Sequence, residues 1–452
     1  MSNFTILAPT AILGYGFPEA SFERGLACKP DLIAVDAGSA DPGPYYLGAG
    51  KSFTDCAAVA RDLRYLLRAS VSNRIPLIIG SAGGAGAAPH LQWTVDIVRD
   101  IAREEQLAFR LGTIAADIPR ETLMHGIAQQ RVRALTGAPA LTNTTVQNTD
   151  VLVAQMGTEP IQQALEQGCD VIVAGRAYDP AVFAALPILR GYHPGLALHL
   201  GKILECAAIA ASPGSGADCA LGILEAERFV LQPLSDERTF TPTSVAAHTL
   251  YEKSDPYVLP GPGGNLDLRN VTFTDIGQGK VAVQGSEFLP SEDYWIKVEG
   301  ASCVGHRSVS IAGIRDPIMI ASIDTILAEV RSRMEALLQH QAPSGSVHFH
   351  VYGRDGVMGP NEPLRNSPGH ELGLVIDAVA PTAEAADTLC SLTRSTLMHY
   401  GYQGRIATAG NLAFPFSPSD LRAGAVYEFS IYHLLRSDPL TPFPLTITEV
   451  EP

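Results

Sequence analysis

The sequence predicts an α/β fold: a parallel sheet with helices on both faces, Rossmann-like in layout, followed by an α+β domain. Three observations predict it. Short continuous apolar runs of strand length recur through the first half, the pattern of strands buried on both faces. Helical stretches separate them, and strands alternating with helices at this spacing form parallel sheets. Near Leu224 the pattern changes to alternating, strand-like segments.

In chain order, the strands read at 4–9 (FTILAP), 31–38 (DLIAVDAG), 76–84 (PLIIGSAGG), 107–117 (LAFRLGTIAAD), 150–157 (DVLVAQMG) and 170–179 (DVIVAGRAYD). Helices read at 54–69, 89–105 and 159–167. Six such units are too few for an eight-stranded barrel, so an open sheet is expected. Beyond Leu224, 228–240 and 271–286 alternate like strands, and PYVLPGPGG (256–264) reads as a loop too broken for a regular element. VHFHVYG (347–353), LGLVIDAVA (372–380) and AVYEFSIYHL (425–434) read as strands, and 318–339 and 383–400 as amphipathic helices. The expected organisation is an α/β domain over 1–225 and an α+β domain over 226–452.

Composition narrows the function. The 452 residues are 46% hydrophobic and 17% charged, enough apolar material for large cores and far from a disordered composition. A net charge of −15 argues against binding the phosphate backbone of nucleic acid or an anionic membrane surface. The start, MSNFTILAPT, carries no secretory pattern, and no apolar run reaches membrane-spanning length. Seven widely spaced cysteines without a C-x-x-C pair fit reduced thiols in a cytoplasmic protein.

In parallel sheets, ligands bind beyond the carboxyl ends of the strands. The loops expected there are glycine-rich and hold most polar side chains of the first half. Gly48–Ser52 (GAGKS) is not a phosphate loop, since Tyr45 stands where that motif needs glycine. Lys51 and Ser52 still offer a point charge and a hydroxyl. Ser81, Gly83 and Gly84 lie in GSAGGAG, whose spacing is not a dinucleotide fingerprint, so no nucleotide cofactor is expected. Arg176 and Asp179 in GRAYDP are candidates for planar recognition of a carboxylate, or for an internal pair. On one helix, read over 196–211, His199, Lys202 and Cys206 share a stripe with Glu205 nearby. Lys and Glu are not buried without partners, so this helix reads as a site wall or an internal ion pair.

Asp36 ends an apolar strand, followed by Ser39 and Asp41, and is a candidate general base or metal ligand. With His90 and His199 it could hold Mg²⁺, Mn²⁺ or Zn²⁺. His348 and His350 lie on one strand face, where two half-exposed histidines are the plainer reading. The candidate catalytic residues are therefore Asp36, His90, Glu205 and Cys206.

The segments VDAGSADPGPYYLGAGKS (35–52), IIGSAGGAGAAPHLQWT (78–94), VAGRAYDPAVFAALP (173–187), ALHLGKILECAA (197–208), GNLAFPFSPSD (410–420) and VYEFSIYHLL (426–435) together resemble the acyclic terpene utilisation (AtuA-like) family over nearly the whole chain. The resemblance implies a bacterial-type metabolic enzyme from catabolic gene groups for branched acids and terpenes, with a small companion protein. It implies no role for any single residue.

The expected activity is hydration, dehydration or isomerisation of a small hydroxy- or unsaturated carboxylate, or its CoA thioester, by proton transfer. A small anionic substrate would be held by Lys51, Arg176, Lys202 or the glycine-loop amides. A homo-oligomer is expected. The alternatives are a metal-dependent hydrolase of a small amide or ester, and a non-catalytic large subunit.

Overall fold

The computed structural model describes residues 3–38, 43–251, 255–340, 345–406 and 409–451. Ser39 and Asp41 therefore lie outside the described residues. Residues 1–302 with 429–452 form one compact unit, and 303–428 form a second.

The first unit begins β1 (Phe4–Ala8), α1 (Glu19–Ala27), β2 (Leu32–Asp36), α2 (Tyr45–Ala49), α3 (Cys56–Asn73), β3 (Leu77–Gly80), α4 (Ala88–Glu105) and β4 (Phe109–Ile114). It continues α5 (Arg120–Ala128), β5 (Val132–Ala134), α6 (Asn143–Gln147), β6 (Val151–Ala154), α7 (Glu159–Glu166), β7 (Val171–Ala174), α8 (Asp179–Leu189) and α9 (Pro194–Leu204). Then come β8 (Ala220–Leu224), β9 (Arg228–Pro233), α10 (Pro242–Leu250), β10 (Val258–Gly261), β11 (Gly264–Asp267), β12 (Thr272–Asp275), β13 (Val281–Gln284) and β14 (Glu287–Pro290).

The main sheet is ten-stranded, in the order β12-β13-β9-β8-β1-β2-β3-β7-β4 with β19 (Leu445–Val450) at its edge. β1, β2, β3, β7 and β4 run parallel, and the flanking strands are antiparallel. The fold is thus mixed α/β, and this order is not the 3-2-1-4-5-6 of a dinucleotide-binding sheet. Alternate residues of the parallel strands enter two separate cores. Leu7, Ile33, Val35, Leu77 and Ile79 pack with α1, α3 and α4 on one face. Ile6, Leu32, Ala34, Ile78 and Ile172 pack with α7, α8 and α9 on the other. Helices cover both faces, which is why the strands read as unbroken apolar runs.

Two expectations change. The run at 150–157 forms β6, but β6 leaves the main sheet and pairs antiparallel with the start of β15 (Trp295–Ile314), Val298 opposite Ala154. An apolar run reports burial; it does not name the strand beside it. PYVLPGPGG is not irregular: β10 and β11 form a hairpin, with Gly261 opposite Gly264. Pro262 and Gly263 (φ +75°) supply the fixed and the left-handed corner that a tight turn requires. The position near 225 is the turn between β8 and β9.

In the second unit, β17 (Leu372–Ala380) lies between β16 (Ser346–Tyr352) and the later part of β15. Helices α11 (Pro317–Ala321), α12 (Ile323–His340) and α13 (Ala383–Met398) share its core. The chain returns to the first unit along β18 (Asp420–Arg436), whose end pairs with β5. His348 and His350 lie on the exposed side of β16. Asp316 caps α11 through the Ile318 and Met319 amides. Asn411 donates to the Leu397 and Tyr400 carbonyls, so it serves the fold of this unit. Among the described residues, no helix is long and apolar enough to cross a membrane.

One close approach shapes the sheet edge. Gly86 (φ +68°) lies so near Arg176 that a Cβ there would meet the Arg176 backbone nitrogen at 2.1 Å. Gly168 (φ +78°) has the same left-handed backbone and open space. Gly168→Ala should cost about 1 kcal/mol of stability, from backbone strain alone. Gly86→Ala should cost at least about 3 kcal/mol, because strain and clash add. Equal losses in thermal melts of the two variants would contradict this packing.

Candidate functional site

Three neighbouring parallel strands end on polar groups. β2 ends on Asp36, β3 leads into Ser81, and β7 leads through Gly175 into Arg176. After β3 the chain enters α4 on one face of the sheet; after β7 it enters α8 on the other. Loops diverging this way mark the carboxyl edge where ligands usually sit in such sheets. Ser81 holds φ +46°, an uncommon backbone for a residue with a Cβ. This strain aims its hydroxyl at Arg176.

Arg176 is 7% exposed and almost fully engaged. Its Nε donates to Glu299 Oε2 at 2.9 Å. Its Nη1 donates to Ser81 Oγ (3.1 Å), the Ala177 carbonyl (3.1 Å) and Asp179 Oδ1 (3.0 Å). Lys297 Nζ reaches the other Glu299 oxygen at 2.6 Å. Burial disfavours the Glu299 carboxylate, but Arg176 and Lys297 outweigh it and hold its pKa at about 2.

Asp36 is the opposite case. Its Oδ2 accepts from the Gly38 amide at 2.9 Å, while Oδ1 is buried without a hydrogen-bond partner among the described residues. Burial raises its pKa well above the usual carboxylate range, with Asp179 and Glu205 adding to the rise and Arg176 opposing it. The neutral form of Asp36 is therefore favoured more than that of an ordinary carboxyl. Lys202 and Glu205 form a buried pair at 2.5 Å. Burial would discharge Lys202, but Glu205 outweighs it and raises the lysine. Burial, then Glu205, pushes the Cys206 thiol up, so it is not a thiolate nucleophile at neutral pH. The Tyr178 phenol is likewise pushed up by burial, Glu205 and Asp179. It can donate a hydrogen bond but does not ionise near neutrality.

The structure thus brings Asp36, Ser81, Arg176, Asp179, Lys202, Glu205 and Cys206 to one sheet edge. The helix read over 196–211 stops at Leu204, and Ala207 turns left-handed (φ +44°), so Glu205 and Cys206 sit at its end. The other candidates have local duties. His90 Nε2 lies 3.0 Å from both the Tyr46 and Lys51 carbonyls, so that nitrogen carries the proton and clasps the loop. Burial lowers the His90 pKa. Lys51 is exposed, and Ser52 forms a turn with Thr54. Gly83 packs on His90, and Gly84 on Phe53.

His199 is fully buried between the Ser286 hydroxyl (2.7 Å) and Thr249 (3.0 Å). The Thr249 hydroxyl donates to the Val245 carbonyl, so it accepts from Nε2–H, and Nδ1 accepts from Ser286. Burial, with Lys202 nearby, lowers His199 to about 3. Both ring nitrogens are spent inside the core. Among the described residues, no group of three or more His, Cys, Asp or Glu side chains is placed to hold a metal ion. Asp36, His90 and His199 are not one ligand set.

Sequence reasoning missed Glu299 and Tyr178. A signal for Glu299 was present: Lys297 and Glu299 alternate with Ile296 and Val298, two charges on a strand with buried neighbours. Glu299→Gln leaves Arg176 half answered and should cost about 3–5 kcal/mol at neutral pH. A carboxylate with a lowered pKa stabilises above its ordinary value, 4.5, and loses that contribution as pH falls towards about 2. In urea unfolding, the deficit of Glu299→Gln should therefore shrink across that window. A deficit unchanged down to about pH 3 would contradict the ion pair.

A family model described as acyclic terpene utilisation family protein AtuA matches residues 56–416. Comparison with curated proteins and with solved structures returned no match. The matched span holds Ser81, Arg176, Asp179, Lys202, Glu205 and Glu299, whereas Asp36 precedes it. The chain belongs to the acyclic terpene utilisation family, and that membership implies a role in acyclic terpene utilisation.

Proposed function

We propose that the chain is a catabolic enzyme of the hydratase, dehydratase or isomerase type, acting on a small hydroxy- or unsaturated carboxylate or its CoA thioester. The observation that carries this reading is Asp36: a buried carboxyl with one oxygen uncommitted among the described residues, its pKa raised by burial, Asp179 and Glu205 against the opposing pull of Arg176. Paired carboxyl groups in unlike surroundings divide into acid and base. Asp36 supplies the proton. Glu205, held in its ion pair with Lys202, receives one.

In dehydration, Glu205 takes the proton from carbon while Asp36 protonates the departing hydroxyl. The C–H and C–O bonds break, the C=C bond forms and water leaves. Isomerisation uses the same two groups to remove a proton from one carbon and return one to another. Arg176 Nη2, which makes no hydrogen bond among the described residues, and the Tyr178 hydroxyl support the carbonyl oxygen as charge builds on it.

Asp36→Asn should fold normally and lose at least about a hundredfold in kcat on hydroxy- and unsaturated carboxylates and their thioesters. In the wild type, an acid with a raised pKa is active below that pKa. Turnover should therefore fall as pH rises through it, and this alkaline limb should vanish in the variant. Wild-type turnover in Asp36→Asn would sink the proposal.

A further inference from the structure

A pocket of about 310 Å³ lies beside the charged cluster, within the first unit. Tyr178 belongs to both. It lines the pocket, its Cε1, Cζ and hydroxyl pack on Gly261, and burial with the charges of Glu205 and Asp179 raises its phenol pKa. From Tyr178 the pocket follows α8 through Ala181 to Ile188, seven positions further on, and Leu198 faces it from α9. Ten residues of helix span about 15 Å, so the lining residues on α8 are spread over that length of helix axis. Pro262 and Phe288, from the small sheet of β10, β11 and β14, close the other side.

The polar side chains in this lining are largely committed. Glu159 accepts from the Tyr294 hydroxyl at 2.6 Å, and Gln162 donates to the Ala185 carbonyl at 3.2 Å. The Thr158 hydroxyl caps nothing, and the rest of the lining is mostly hydrocarbon and aromatic carbon. A sugar or nucleotide would find few hydrogen-bond partners here, whereas an aliphatic chain needs none.

We propose that this pocket holds an aliphatic chain of the substrate, whose reacting end lies at Asp36, Arg176 and Glu205, with Tyr178 as the shared wall. The assignment rests on the acid–base reading above and adds to it the chain that the site selects. It predicts that affinity grows with chain length, since each buried methylene strengthens binding roughly severalfold.

The test uses the full chain and calorimetric titration with probes that differ only in length: butanoate against octanoate, and the N-acetylcysteamine thioesters of both. The longer probe of at least one pair should bind roughly tenfold tighter or more, with one-to-one saturation. Thr158→Trp fills the pocket from a residue whose side chain caps nothing. Ile188→Asn makes its lining polar without adding bulk. Either variant that retains the wild-type melting profile should bring the long probe to within about twofold of the short one and leave the short one unchanged. Affinity independent of length, or a length effect untouched by both folded variants, overturns the assignment. If length has no effect while Asp36→Asn still abolishes turnover, the pocket assignment fails alone. If Asp36→Asn turns over normally while the length effect holds and the variants remove it, the acid–base reading fails alone. Absence of binding by all four probes overturns the pocket assignment as well.

Discussion

The buried guanidinium of Arg176 is the constraint on which the rest of the first unit depends. A charge taken out of water persists only if acceptors surround it. Those acceptors come from separated parts of the chain: Ser81 after β3, Asp179 at the start of α8, and Glu299 in β15. Answering one cation therefore fixes the ends of two parallel strands and the strand that carries Glu299. Gly86 and Ser81 follow from the same demand. One gives up its Cβ so that the Arg176 backbone can come close; the other accepts an uncommon backbone so that its hydroxyl can reach the guanidinium.

The same cluster sorts carboxyl groups by their surroundings. Glu299 touches two cations and stays ionised to about pH 2. Glu205 touches Lys202. Asp36 receives one backbone amide, lies near two other carboxylates, and is pushed towards its neutral form. These groups start from nearly equal intrinsic acidity, and the difference lies in burial and partners.

Much of this was legible in the sequence, and the boundary of legibility is physical. Strands buried on both faces announce themselves as apolar runs, so β1, β2, β3, β4 and β7 were readable along with the loops behind them. Asp36, Arg176, Asp179, Lys202 and Glu205 stood out because polar residues at strand ends or on apolar helices need an explanation. Pairing was not legible. β6 has the same apolar signature as its parallel neighbours yet belongs beside β15, so Glu299 entered the site from a segment with no evident link to it. Nor could a stripe of reactive residues show which would turn inward: His199 and Lys202 share a helix, but hydroxyl partners absorb the histidine while the lysine meets Glu205.

Charge at the site also differs from what the cations alone imply. With a net charge of −15, an anionic substrate requires a locally positive spot, for which Lys51, Arg176 and Lys202 were the candidates. In the folded chain, Arg176 is matched by Glu299 and Asp179, Lys202 by Glu205, and Lys297 by Glu299. Lys51 stands exposed and makes no ion pair among the described residues. The cluster is close to neutral once Asp36 holds its proton. A free carboxylate entering it adds a negative charge and competes with Asp179 and Glu299 for Arg176, whereas a thioester carbonyl adds no charge and needs only a hydrogen bond. In the proposed reaction, recognition would rest on directed donors, the Arg176 Nη2 and the Tyr178 hydroxyl, more than on net attraction. In a buried setting such donors act strongly, because no water competes for the oxygen they address.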